Sequence, residues 1–239
     1  MKKSTETPAQ EAGITESQLY ASIESALLEG RLPAGTALRE RHLAEAFAVT
    51  RGMVRKVLIR LGQAGKLEMH PHRGAFVPTP TPAQVIDAYQ ARIALEGGAL
   101  LELAPRITAT QLKRLKRLVH QEKQGAMTGQ ARQHSVRMAG NFHAEVVGLL
   151  DSPTLQTMCE QLIARTQMYV ALYEPQSASE CAPTEHLQVL EALEQRDAAA
   201  AVHAMKAHLL LVQNRVLQRM QPRASEPVAD ILKSFLPAP

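Results

Sequence analysis

Residues 78–82 read Pro-Thr-Pro-Thr-Pro, and this run constrains the chain more than any other stretch. Proline fixes φ and has no N–H to donate, so three of them in five residues stop any helix or central strand. The run reads as a stiff, extended linker. It predicts two folded units, 15–77 and 83–222, with a disordered tail at 1–14 and a C-terminal tail at 223–239.

What fills the two cores follows from composition. Hydrophobic residues make up 45% of the 239, but aromatics only 3%, and tryptophan is absent. Cores must then be built from Leu, Ala, Val, Ile and Met, which favours helices packed on helices over a sheet sandwich. Beyond residue 82 the apolar spacing is helical throughout, with segments at about 83–104, 109–126, 129–149, 153–173, 183–195 and 198–220, and a short one at 227–235. Ser152-Pro153 and Pro183 suit helix starts, and Asp197 suits an N-cap.

The N-terminal unit has a different rhythm. A helix over about 17–28 buries Leu19, Ile23, Ala26 and Leu27, and Gly30 ends it. Two short helices follow, at about 40–47 and 51–64, joined by Ala48-Val49-Thr50. Thr50 suits the N-cap of the second and Gly65 its stop. Strands at 67–69 and 75–77 flank His70-Pro71-His72-Arg73-Gly74, a hairpin with a basic tip. Helix, tight turn, helix and hairpin, in that order, describe a winged helix-turn-helix. The fold class is therefore mainly α: a winged helix-turn-helix followed by an all-helical bundle.

Charge points the same way. The chain carries +4, and Arg39 to Arg73 alone holds eight Lys/Arg against three acids, a local +5. A basic patch on such a motif suits double-stranded DNA, whose phosphates supply most of the affinity. In a helix-turn-helix the second helix enters the major groove and presents its first residues to base edges. Here Arg51, Gly52 and Arg55 share one face, opposite Val54, Val57 and Leu58. Arg51 and Arg55 are candidates for guanine edges or phosphates, with Gly52 allowing close approach. Arg41 can reach the backbone from the preceding helix, and His72, Arg73 and Gly74 can touch it from the wing.

These residues carry a family resemblance. Gly30 and Leu32, Pro33-Ala34-Gly35, Leu38, Glu40, Leu43-Ala44, Val49 through Leu58, and Arg73-Gly74-Ala75-Phe76-Val77 resemble the GntR family of bacterial regulators. The resemblance assigns DNA contacts to Arg41, Thr50, Arg51, Gly52, Arg55 and Gly74. The family often places an acid where Lys56 stands, so this helix is more basic than the pattern.

In the C-terminal unit, His143, His186 and His208 stand on three separate predicted helices. Three imidazoles converging would make a site for a divalent metal with open positions, zinc or nickel being the natural occupants. Residues 83–220 resemble the helical FCD ligand-binding domain of the FadR-like branch of the GntR family. Arg92 with Leu95-Glu96, Phe142-His143, Glu185-His186 and His208-Leu209 carry that resemblance. It implies that the three histidines ligate a metal. The family usually adds an Asp four residues before the first His, where this chain has Ala139. Either the metal keeps three protein ligands, or the pocket takes an organic effector directly. Arg92, with Asn141 and Arg165, is the expected partner of an anionic effector. Cys181, five residues before His186, reads as a structural thiol rather than an extra ligand.

The expected function is a homodimeric, sequence-specific transcriptional regulator, a repressor released by a small organic acid or nitrogen compound. A metal-dependent enzyme using the three histidines is the main rival, but no His-Glu-x-x-His motif or nearby general base accompanies them. An architectural DNA binder is disfavoured by the large, nearly neutral C-terminal unit. Two cysteines, a polar N-terminus and no 18-residue apolar stretch predict a cytoplasmic protein with no membrane span.

Overall fold

The computed structural model describes residues 14–128, 131–174, 182–220 and 228–235. Helix α1 spans Glu16–Leu28, β1 Ala37–Leu38, α2 Glu40–Phe47, α3 Arg51–Gln63, β2 Glu68–His70 and β3 Gly74–Phe76. The second half is helical: α4 Pro82–Leu103, a 3-10 turn Ala104–Arg106, α5 Ala109–Met127, α6 Arg132–Gly148, α7 Pro153–Tyr173, α8 Ala182–Glu194, α9 Ala198–Leu217 and the short α10 Val228–Lys233.

Local chemistry sets most boundaries. The Thr50 hydroxyl accepts the Met53 N–H and starts α3. Thr15, Thr81 and Thr108 form capping boxes with Gln18, Gln84 and Gln111, so α1, α4 and α5 start with two orphan donors satisfied each. The Thr81 cap corrects the expected linker: Pro82 is already the first residue of α4, where a missing N–H costs nothing. In the turn between α2 and α3, Ala48 takes a left-handed conformation with φ 52°.

The wing strands lie one residue from their expected places, and a third strand joins them. β3 pairs antiparallel with β2 (Met69 opposite Ala75) and with β1 (Leu38 opposite Ala75). A two-residue strand has no periodicity to betray it in sequence. The predicted helix over 129–149 begins at Arg132, and residues 1–13 and Cys181 lie outside the described residues.

In the bundle, α4 packs on α9 and α7, α9 on α8, and α6 on α5 and α7. The N-terminal domain is seated directly on this bundle, with α1 against α6 and α7. Two glycines allow that seating. Gly30 (φ +71°) and Gly65 (φ +75°) follow α1 and α3, and a Cβ on them would lie 2.1 Å from the Ala171 carbonyl oxygen and 2.9 Å from that of Gln161. Both carbonyls belong to α7. The glycines therefore serve as helix stops and as points where backbone meets backbone. The Glu24 carboxylate on α1 bridges Lys66 of its own domain and Arg137 on α6, the latter at 2.9 Å.

The predicted C-terminal tail is not merely a tail. α10 returns to the N-terminal domain and packs on α1 and α2.

Candidate functional site

Two sites take shape, one in each domain. In the N-terminal domain Val54, Val57, Leu58 and Leu61 anchor α3 in the core, which leaves Arg51, Gly52, Arg55 and Lys56 exposed. A cleft of about 700 Å³ lies between α2, α3 and the wing, and Arg39, Arg41, Arg51, Arg55, Arg73 and Gly74 contribute to its walls. The expected basic residues are thus gathered on one surface. Gly74 has φ +93° and open space where a Cβ would stand, so it is required by the hairpin's conformation rather than by crowding. His72, also at positive φ (59°), is exposed at the tip.

Arg55 is not simply a free cation. It forms a two-pronged ion pair with Glu40, at 2.8 Å from Nε and 2.7 Å from Nη2. That pair draws the Glu40 carboxyl below its usual range, through the Arg55 hydrogen bond first. Thr50 is spent as the α3 cap. Sequence reasoning missed Arg39, whose guanidinium reaches the Arg73 carbonyl at 3.5 Å, and His42 and His70, which also line the cleft. The excess of cations from Arg39 onward was the available signal.

The second site lies inside the bundle. α6, α8 and α9 bring His143, His186 and His208 together, all buried. Their Nε2 atoms stand 3.2 Å (143–208), 3.3 Å (143–186) and 3.3 Å (186–208) apart. Each Nδ1 meets a carboxylate: His143 with Glu96 at 2.6 Å, His186 with Glu122 at 2.8 Å, His208 with Glu185. A carboxylate accepts, so each Nδ1 carries the proton and each Nε2 turns its lone pair to the centre. Burial pulls His143 down to about 4 despite Glu96, and pulls His208 well below its ordinary value with the help of the neighbouring imidazoles. Both are neutral near pH 7.

Three lone pairs facing one another at this distance repel unless a cation lies between them. A tetrahedral zinc with Zn–N bonds of about 2.05 Å places its nitrogens about 3.3 Å apart. The trio matches that spacing, and among the described residues it is the group of histidines, cysteines and acids able to hold an ion. The donor set therefore fits a divalent metal. Ala139, four residues before His143 on the same face, lines the adjoining cavity and offers no fourth ligand.

That cavity, of about 70 Å³, is also lined by Tyr89, Arg92, Gly140, Glu122 and Gln167. Arg92 donates to Glu96 at 2.6 Å and to the Thr166 hydroxyl at 2.9 Å. Burial disfavours the Glu96 charge, but Arg92 and His143 overcome it and bring this carboxyl to about 2. Arg92 Nη2, Tyr89 Oη and Glu122 Oε1 are buried here without a hydrogen-bond partner. Deeply buried polar atoms are nearly always paired, so three orphans around one cavity mark space for a ligand.

Arg92 therefore stands where an effector-binding residue was expected; Asn141 and Arg165 do not. Asn141 is exposed and lines a cleft between the two domains, because two residues along a helix turn it away from His143. Arg165 is exposed beside Gly65, one position from the inward-facing Thr166. Tyr89, Glu122, Thr166 and Arg215 were missed. Their inward direction depends on how α4, α5, α7 and α9 are rotated in the bundle, which local sequence does not record.

Comparison with known proteins now decides the family. The model of bacterial regulatory proteins of the gntR family matches residues 15–77, and that of the FCD domain matches residues 87–211. The chain belongs to the GntR family, in its FCD-domain branch. It is 27% identical to the HTH-type transcriptional repressor RspR of Escherichia coli over 205 residues, covering 85% of this chain and 90% of RspR. It is 25% identical over 196 residues to a Paenarthrobacter nicotinovorans protein named "Probable D-xylose utilization operon transcriptional repressor", covering 81% and 84% of the two chains. Escherichia coli McbR/YncC shares the fold, with TM-score 0.69, 22% identity, and coverage of 86% of this chain and 98% of that one. So does a GntR regulator from Rhodococcus sp. RHA1, with TM-score 0.69, 16% identity, and coverage of 85% and 97%. The GntR-family chain described here is a DNA-binding transcriptional regulator rather than an enzyme. Among the described residues no helix is long and apolar enough to cross a membrane.

Proposed function

We propose that this regulator is a cytoplasmic homodimeric repressor whose hold on DNA is released by a small organic acid bound beside a histidine-held divalent ion. The observation carrying this reading is the trio of buried Nε2 atoms at 3.2–3.3 Å, opening on a cavity with an unpartnered arginine nitrogen. His143, His186 and His208 would hold zinc or nickel. The ion would supply positive charge at the cavity wall. Arg92 Nη2 is aimed to receive one carboxylate of the effector, and Glu122 Oε1 to accept from a hydroxyl or amino group on it.

The DNA half rests on Arg51, Gly52, Arg55, Arg41 and the wing residues His72, Arg73 and Gly74 meeting a half-site, with Thr50 setting the start of the reading helix. Two copies of the chain would address a palindrome. The route between the sites runs through α6, which carries His143 at the cavity and Arg137 against Glu24 of α1. An effector with higher affinity for one placement of the N-terminal domains shifts the dimer towards it. The test is isothermal titration of the metal-loaded chain with a panel of small carboxylates, followed by operator release with any that bind. Binding without change in operator affinity rejects the switch; no binding by the parent, or equal binding by Arg92→Ala, rejects the pocket assignment.

A further inference from the structure

Both family matches end before α10, at residues 77 and 211. Ten residues separate it from α9, and α9 carries His208 and Arg215 of the bundle cavity. Among the described residues, its principal packing is against α1 and α2 of the DNA-binding domain.

The contact has the character of a core rather than of a resting tail. Ile231 and Leu232 are buried to 1% and 0% exposure, within the same apolar cluster as Leu19, Ile23 and Leu27 of α1. Ser22, on the buried face of α1, finds the acceptor for its hydroxyl in the Phe235 carbonyl at 2.9 Å. The Arg31 guanidinium donates to the Ser234 hydroxyl at 2.8 Å and lies 5.8 Å over the Phe235 ring. An apolar pair, a buried hydroxyl and a cation over an aromatic ring thus agree on one seat. Helix α2 is the first helix of the helix-turn-helix, so the seat lies against the element that positions the reading helix α3.

We propose that the C-terminal segment 228–235 is an intramolecular clasp. It fastens the chain end beyond the sensing bundle to the DNA-binding domain and holds that domain in its orientation for operator binding. The seating of α1 on α6 and α7 is one attachment of the DNA-binding domain to the bundle, and the clasp is the second. Loss of the clasp leaves both domains folded and frees one to swing on the other.

The test uses the full chain carrying Ile231→Asp and Leu232→Asp, with an operator duplex selected from a random library by the unaltered protein. Amide exchange in α1 and α2 is expected to accelerate at least tenfold and operator affinity to fall at least tenfold, with helix content retained. A chain ended after Met220 guards against misfolding of the double variant. A synthetic 221–239 peptide, added at about 1 mM to match the effective concentration a short tether provides, should restore the protection of α1 and α2 but not the operator affinity, because an untethered peptide fills the seat without joining the domains. Operator affinity within twofold of the parent in either variant overturns the proposal, as does full recovery of that affinity on adding the free peptide.

Discussion

Gly30 offers a quantitative test of how the DNA-binding domain is seated. Gly30→Ala meets two penalties there. At φ +71° an L-residue is in the left-handed region, which costs about 1–2 kcal/mol. Alanine's smaller unfolded-state entropy returns about 0.4–1 kcal/mol of that. The added methyl would also lie 2.1 Å from the Ala171 carbonyl oxygen, a backbone atom that cannot rotate aside. Relieving the contact requires lifting α1 off the end of α7, an overpacking penalty of about 1–3 kcal/mol. The net loss is about 1–5 kcal/mol. For a chain of this size each kcal/mol lowers Tm by about 2–4 °C, so the midpoint should fall by roughly 2–18 °C in a circular-dichroism melt. Gly148→Ala is the control, since nothing lies within 4 Å of its Cβ position. A Gly30→Ala midpoint within 2 °C of the parent would refute the close seating of the two domains.

Other expectations follow from the two sites. Arg51→Ala should weaken operator binding by about 1–3 kcal/mol and relax preference at one base position, read by binding to a panel of single-substituted duplexes; uniform weakening across the panel would make Arg51 a phosphate contact instead. Arg92→Ala should abolish the response to any carboxylate effector while zinc or nickel still binds, as calorimetry with the metal alone would reveal. The metal-free chain should lose stability on acidification through the window from pH 6.5 to about 4. His143 is depressed in the fold, so the unfolded state takes up its proton first, and stability rises with pH across that interval. Urea titrations at several pH values measure this slope, and His143→Gln should lessen it, with the depressed His208 supplying the remainder.

How much of this was legible in the sequence differs by element. The reading helix declared itself through Thr50, whose cap fixes where α3 begins, and through Val54, Val57 and Leu58, which fix its inner face. The three histidines were placed on separate helices, and the bundle closes them on one point. Their carboxylate partners were harder. Glu96 and Glu185 stood inside the resembling motifs without a role, and Glu122 carried no local sign, since its pairing with His186 spans 64 residues. Asn141 and Arg165 lie away from the cavity for a related reason: nearness in sequence to His143 and Thr166 says nothing of the face a side chain occupies until the helix is docked. Gly30 and Gly65 read as helix stops, which they are, but their contact with α7 is a tertiary fact. The Arg55–Glu40 pair spans the turn between two helices and was likewise invisible to a pattern within one helix.

Metal content tests the histidine trio most directly. Protein purified without added chelator, then dialysed, should retain one divalent ion per chain by elemental analysis. After stripping, it should rebind zinc or nickel at one site per chain by calorimetry. His143→Ala or His208→Ala should lower that affinity by well over tenfold while helix content is kept. A stripped chain that takes up no ion at micromolar zinc or nickel, or a triple alanine variant that binds as the parent does, would contradict the account.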